Sequence, residues 1–269
     1  MLKPADISTH NLAIYQGRLL SWWFKRRTDL LAPEVSILDR IRPKLAGAAV
    51  LDIGVGGGRT TAHLIRLGVK YTGIDYSPQM IERCKARYPS VDFEVCDARD
   101  LSRFAAGRFD LIFFSFNGID YVSHEERIAV LREMRRSLCA GGTLVFSSHN
   151  REFSETQRPW SLSHLPLTVN PITSPLKFAA KLASYPVGIV NHLTNRKNQW
   201  QGDEYAILND AANNYQMLTY CISVRKQIAQ LESAGFESVE VVGFDGRWLR
   251  SREYNGCQTD PFLYYMCRR

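Results

Sequence analysis

The stretch Val50-Leu51-Asp52-Ile53-Gly54-Val55-Gly56-Gly57-Gly58-Arg59-Thr60-Thr61 decides the fold. Its opening residues are apolar except for Asp52, as in a strand buried on both faces. Four glycines follow within five positions. They let the chain turn sharply and let a ligand approach backbone with no Cβ in the way. Arg59 and Thr60 then open a segment of helical spacing. Strand, glycine turn and helix in that order point to a ligand with a nucleotide part.

Working outward, residues 48–148 alternate short apolar strands with amphipathic helices, the pattern of parallel βαβ units. Ala48–Ile53, Tyr71–Asp75, Phe93–Cys96, Asp110–Phe114 and Thr143–Ser147 read as strands. Arg59–Leu67, Pro78–Tyr88 and Glu125–Leu138 carry apolar residues at helical intervals, as Ile128, Leu131, Met134 and Leu138 do. Five strands in about 100 residues predict an α/β fold with a doubly wound, Rossmann-like, mostly parallel sheet. Such sheets bind ligands at the carboxyl ends of their strands.

Two acids stand at those ends. Asp75 closes the second strand in Gly73-Ile74-Asp75-Tyr76-Ser77-Pro78, about 20 residues past the glycines, where a carboxylate can accept from both hydroxyls of a ribose. Ser77 and Pro78 read as N-cap and first residue of the next helix. The third strand ends in Val95-Cys96-Asp97-Ala98-Arg99-Asp100-Leu101, and Asp97 is preferred over Asp100 because the latter suits a helix start. The fourth runs out into Ser115-Phe116-Asn117, whose backbone or side chains should touch cofactor or substrate. Asp110 reads as structural.

A glycine-rich turn alone also fits nicotinamide and flavin enzymes, but their G-x-G-x-x-G fingerprint needs glycine at 59, which is Arg59. The actual pattern, D-x-G-x-G-x-G over Asp52 to Gly58, resembles the first motif of the class I S-adenosylmethionine-dependent methyltransferases. The resemblance covers 48–148 well and 215–244 loosely. It implies a seven-stranded sheet and S-adenosyl-L-methionine as cofactor, with Gly54, Gly56 and Gly58 against its methionine part. Asp52 would sit near the cofactor's amino group, or hold the turn. Tyr76 and Met80 would line the adenine face, or pack in the core. Asp97 would accept from the adenine amino group while the Ala98 backbone pairs with a ring nitrogen.

The flanks are less regular. Residues 1–47 read as an N-terminal helical cap, helical over 8–42, with Trp22, Trp23 and Phe24 ahead of Lys25, Arg26 and Arg27. Residues 149–214 match no pattern, and a structureless loop of that length is improbable in a compact domain, so an inserted lid or substrate wall is expected there. Residues 215–269 return to the core, with strands at Tyr215–Ile222, Val239–Phe244 and Phe262–Cys267 and a helix at Val224–Ala234 closed by Gly235.

Methyl transfer from a sulfonium mainly requires that the acceptor be held in line, and for hydroxyl or ammonium acceptors that a proton be removed. His149, at the end of the fifth strand, is the first candidate base, with anchoring of the next loop as its alternative. Tyr121 and His124, after the fourth strand, are second choices. A large insertion suits a small-molecule acceptor such as a metabolite, natural product or glycan-linked group, methylated at oxygen or nitrogen.

Composition narrows the partners only broadly. The chain has 269 residues, 45% hydrophobic and 23% charged, with net charge +7. That excess would attract nucleic acid, an anionic surface or an acidic substrate alike. RNA methylation stays an alternative, as does a non-catalytic partner subunit, but Lys and Arg are dispersed and no RNA-binding appendage is recognisable. A homo-oligomer is compatible with the sequence. The six cysteines form no C-x-x-C pair and no metal site is expected. With neither a leader-like start nor a run of about 18 apolar residues, the expected location is cytoplasmic.

Overall fold

The computed structural model describes residues 7–15, 28–153, 175–209 and 214–269. Its strands are β1 (Ala49–Ile53), β2 (Lys70–Asp75), β3 (Asp92–Val95), β4 (Phe109–Phe114), β5 (Leu138–Asn150), β6 (Trp200–Gln201), β7 (Tyr205–Asn209), β8 (Leu218–Ile222), β9 (Glu237–Val242), β10 (Trp248–Leu249) and β11 (Phe262–Arg268). The main sheet runs β10-β9-β11-β5-β4-β1-β2-β3. Pairing is parallel from β3 through β5, and antiparallel where β11 enters between β5 and β9.

Helices cover both faces: α1 (Ile7–Tyr15), α2 (Ala32–Ile41), α3 (Thr61–Ile65), α4 (Pro78–Arg87), α5 (His124–Ser137), α6 (Pro175–Asn195) and α7 (Val224–Ser233). The central strands are apolar on both sides, so alternate residues feed two cores. Leu51, Ile112, Phe146 and Tyr265 share one core with Leu131 and Met134 of α5 and Leu231 of α7. Val50, Leu111, Val145 and Tyr264 share the other with Ile37 and Ile41 of α2, Leu64 of α3 and Ile81 of α4. This is the expected doubly wound arrangement.

Three local expectations change. The first crossover helix is confined to Thr61–Ile65, because Gly58 at φ +75° and the turn after it delay helical geometry. The strand expected from Tyr215 starts at Leu218, because Asn214 and Tyr215 take φ of +53° and +58°. Seven strands are expected, but among the described residues the sheet extends to eleven. The insertion adds β6 and β7, which pair antiparallel with each other and with β8, and β8 joins the end of β5 through His149–Cys221 and Asn150–Ile222.

Within the insertion, Pro175–Asn195 forms α6, with Pro186 inside it. The predicted N-terminal helix is present as α1 and α2. Trp22, Trp23, Phe24 and the cations after them lie outside the described residues, as do 154–174 and 210–213. Helix α5 starts on a capping box, with Ser123 Oγ accepting from the Glu126 amide and the Glu126 carboxylate from the Ser123 amide. Gly235 ends α7 at φ +86°. Among the described residues no helix is long and apolar enough to cross a membrane.

Candidate active site

Strand β1 has β2 on one side and β4 on the other, so crossovers leave it in opposite directions and a crevice opens at its carboxyl end. The glycine loop forms the floor of that crevice. Gly54, Gly56 and Gly58 take φ of +66°, +52° and +75°, which side-chain-bearing residues rarely adopt. A Cβ on Gly54 would lie 3.0 Å from the Phe114 ring and one on Gly58 2.9 Å from Tyr88, whereas one on Gly56 would meet no atom nearer than the Gly54 carbonyl at 4.0 Å. The loop therefore shows the cavity bare backbone.

Asp75 holds this loop from the next strand. One carboxylate oxygen accepts from the Gly56 amide at 2.9 Å, and the other from Ser77 at 2.9 Å. Burial raises its pKa. Tyr76 and Met80 line the same cavity, Tyr76 exposed and Met80 buried. Asp97 and Ala98 line the far wall beside Arg99, whose guanidinium grips the Asp97 carboxylate at 2.6 Å and also meets Glu126.

Asp52 lines the cavity, but its carboxylate faces its own neighbours. The Thr60 hydroxyl donates to it at 2.6 Å and the Tyr71 hydroxyl at 2.8 Å. Burial outweighs both bonds and pushes its pKa up to about 7. In this geometry Asp52 fastens the start of α3 to β1 and β2.

At the end of β4, Ser115 and Phe116 line the cavity. Phe116 and Asn117 both take left-handed φ, +60° and +62°, a strained pair of the kind that gathers at functional sites. Asn117 lies behind the cavity wall: its amide donates to Ser147 Oγ at 2.8 Å, and its side-chain nitrogen lies 3.3 Å from His149 Nε2. Its Oδ1 is buried without a hydrogen-bond partner among the described residues.

The three candidate bases are set apart. Tyr121 lines the cavity. His149 sits one layer out, its ring 6.3 Å from that of Tyr121 and its side chain 16% exposed. His149 Nδ1 is 2.7 Å from the Asp120 carboxylate. His124 is drawn the other way into an aromatic stack, 4.5 Å from the Tyr205 ring and nearly parallel to it, with Nδ1 2.9 Å from the Tyr220 hydroxyl. Burial lowers its pKa.

Sequence reasoning missed the groups that brace the site. Arg59, noted only as a missing glycine, makes a bidentate pair with fully buried Glu34 of α2 at 2.5 Å for each bond. It also donates to Ser115 Oγ at 2.6 Å, and the Tyr264 hydroxyl donates to Glu34 at 2.6 Å. Burial pushes the Glu34 carboxyl up, but Arg59, Ser115 and Tyr264 together leave it below its ordinary range. Asn11 of α1 was also missed. Its amide donates to the carbonyls of Tyr121 at 3.1 Å and Leu218 at 2.7 Å, which lays α1 along the cavity, where Ser8, Thr9 and Leu12 complete the wall. The signal available was polar residues on an otherwise apolar helix, which does not name a partner.

Fold and loop together define the class I methyltransferase architecture. Residues 50–142 match the family model described as a methyltransferase domain. A ubiquinone biosynthesis O-methyltransferase of Xanthomonas oryzae pv. oryzae is 33% identical over 115 residues, 41% of this chain and 46% of that protein. The same-named protein of Nitrosococcus oceani is 30% identical over 156 residues, 54% of this chain and 64% of that protein. The chain thus spans about half to two thirds of the length of these relatives. Among solved structures, the 1,6-didemethyltoxoflavin-N1-methyltransferase of Burkholderia thailandensis superposes over 100% of this chain and 91% of its own, with TM-score 0.57 at 14% identity. An S-adenosylmethionine-dependent methyltransferase of Thermotoga maritima does so over 97% and 98%, with TM-score 0.53 at 18% identity. At such identities these two superpositions speak for the fold.

Proposed function

We propose that this chain transfers the methyl group of S-adenosylmethionine to an oxygen or nitrogen of a small metabolite, natural product or glycan-linked acceptor. The observation that carries the reading is the bare-backbone glycine floor with the buried Asp75 carboxylate turned onto it at the sheet's switch point. A dinucleotide site would need glycine where Arg59 is instead committed to Glu34.

The residues present suit that cofactor. Gly54 and Gly56 offer backbone to its amino-acid part, while Gly58 packs against Tyr88 and does not line the cavity; Asp75 offers an acceptor for ribose hydroxyls, and Asp97 with Ala98 polar atoms for an adenine edge beside Tyr76 and Met80. When bound, the cofactor supplies an electrophilic methyl carbon. The protein's part is to seat the acceptor, exclude water beneath α1 and take up a proton. The named relatives support a small acceptor: one group acts in ubiquinone biosynthesis at oxygen, and the Burkholderia enzyme was crystallised with its small substrate.

Titration calorimetry is the direct test. S-adenosylhomocysteine is expected to bind and NAD to give no heat; binding of NAD alone overturns the proposal. In the same experiment Asp75→Ala should weaken S-adenosylhomocysteine binding by about 1–3 kcal/mol, the scale of losing a charged hydrogen-bond acceptor. Unchanged affinity in a folded variant would remove Asp75 from the site.

A further inference from the structure

Helix α6 of the insertion is amphipathic in the inverse sense. Its inward face is polar: Gly188, His192 and Asn195, four and three residues apart, are buried. Asn195 Nδ2 donates to the carbonyls of Tyr215 at 2.9 Å and Gln216 at 3.2 Å, Asn191 Nδ2 to that of Asn214 at 3.0 Å, and Asn209 Nδ2 to that of His192 at 3.3 Å. At Gly188 the helix comes so near this loop that a Cβ would lie 2.6 Å from Asn214 Oδ1. Hydrogen bonds thus hold this side of α6 to the domain, and its apolar residues are turned elsewhere.

They lie on the opposite face. Pro186, Val190 and Leu193 recur at steps of four and three, half a turn round the helix from the buried set, and Val187 flanks them. Val187, Val190 and Leu193 are 48%, 61% and 55% exposed, and Pro186 is exposed with them. Together with Trp200 these three side chains are four of the eight large hydrophobics exposed among the described residues, so the uncovered apolar surface is concentrated in this segment. A surface helix ordinarily turns its apolar stripe to the core and its polar face to water.

The charge of the segment distinguishes what covers the stripe. From Thr156 to Gly202 the sequence contains neither Asp nor Glu. Helix α6 holds Lys177 and Lys181, and the turn Arg196–Asn198 after it adds Arg196 and Lys197, both exposed. Lys197 stands four positions beyond Leu193, where the stripe ends. Apolar residues with cations beside them and no acids fit the boundary of a bilayer, where the apolar side chains enter the acyl edge and the cations meet anionic headgroups. A nucleic acid would meet the cations but leave the stripe in water. A second copy laid stripe to stripe would set like charges against each other.

We infer that α6 is a peripheral docking element, which lays Pro186, Val190 and Leu193 on an anionic membrane surface with Arg196 and Lys197 against its phosphates. It lies on that surface and does not cross it. The inference goes beyond the methyltransferase reading and stands without it, since none of the described residues of α6 lines the cavity.

The test is flotation of the full chain with vesicles of phosphatidylcholine alone and of phosphatidylcholine mixed with phosphatidylglycerol. The parent should float with the mixed vesicles, be released by raised salt and stay behind with phosphatidylcholine alone. Val190→Ser with Leu193→Ser keeps the net charge and should lower partitioning about tenfold or more. Arg196→Glu with Lys197→Glu should lower it at least about 25-fold, at roughly fivefold for each cation near an anionic surface. All four side chains are exposed, so both variants should keep the parental thermal midpoint; if one misfolds, the other decides. A parent that ignores the mixed vesicles, or binds both kinds equally, overturns the inference. So does binding that the serine pair retains in full, the behaviour of a merely basic protein. A dimer in sedimentation that the serine pair dissociates also overturns it and gives the face to a second copy.

Discussion

Replacing Arg59 by Met is expected to destabilise the fold by about 3–5 kcal/mol at neutral pH, the cost of leaving a buried charge without its partner. Glu34 has no exposed side-chain surface, and the Ser115 and Tyr264 hydroxyls that remain cannot neutralise it. The loss should depend on pH with a definite sign. In the parent, Glu34 lies below its ordinary range, so the pair's stability is present above that range and fades as pH falls through the lowered value. Without Arg59, burial pushes the carboxyl up instead. The folded variant then binds a proton that the unfolded chain does not, and its deficit shrinks as pH falls from 7 toward the ordinary carboxylate value. Urea unfolding of both proteins between pH 7 and 5 reads this directly. A deficit that stays constant over that interval would mean Glu34 does not carry the effect.

His149→Ala is expected to leave S-adenosylhomocysteine binding intact and to slow methyl transfer about 100-fold or more. The side chain stands behind Tyr121 and does not line the cavity that the glycine floor and Asp75 define, so its removal should spare the cofactor. Single-turnover rates beside calorimetry separate the two. Normal turnover in the variant would reduce His149 to an anchor for the loop after β5.

The two variants probe the halves of one crevice. Arg59 and Glu34 tie α2 to the glycine loop, whereas Asp120 and His149 tie the loop after β4 to the end of β5. A charge pair braces the first half and a carboxylate–imidazole contact the second.

The local features were legible in the chain as written. Val50–Ile53 and Asp110–Phe114 announce buried parallel strands because they are apolar at consecutive positions. Gly54 to Gly58 announce a tight turn because few other residues accept positive φ. Asp75 and Asp97 announce polar strand ends because each follows an apolar run. These signals are carried by residues next to one another, and backbone sterics and burial act at that range. Strands β6 and β7 escaped, unlike β8, because Trp200–Gln201 is two residues long and Tyr205–Asn209 five, so little period builds up.

What only the tertiary structure decided is which distant polar groups meet. Arg59 finds Glu34 25 positions away, His149 finds Asp120 29 positions away, and Tyr264 reaches Ser115 across 149. Sheet order sets those distances: β4 lies between β1 and β5, and β11 beside β5. A buried charge carries no mark of its partner in sequence, because the partner is fixed by strand neighbours and not by spacing along the chain. The sequence by itself thus determined the α/β class, the glycine floor and the acids at the strand ends. Packing the sheet between its helices decided that Arg59 is a brace and that His149 stands against a carboxylate.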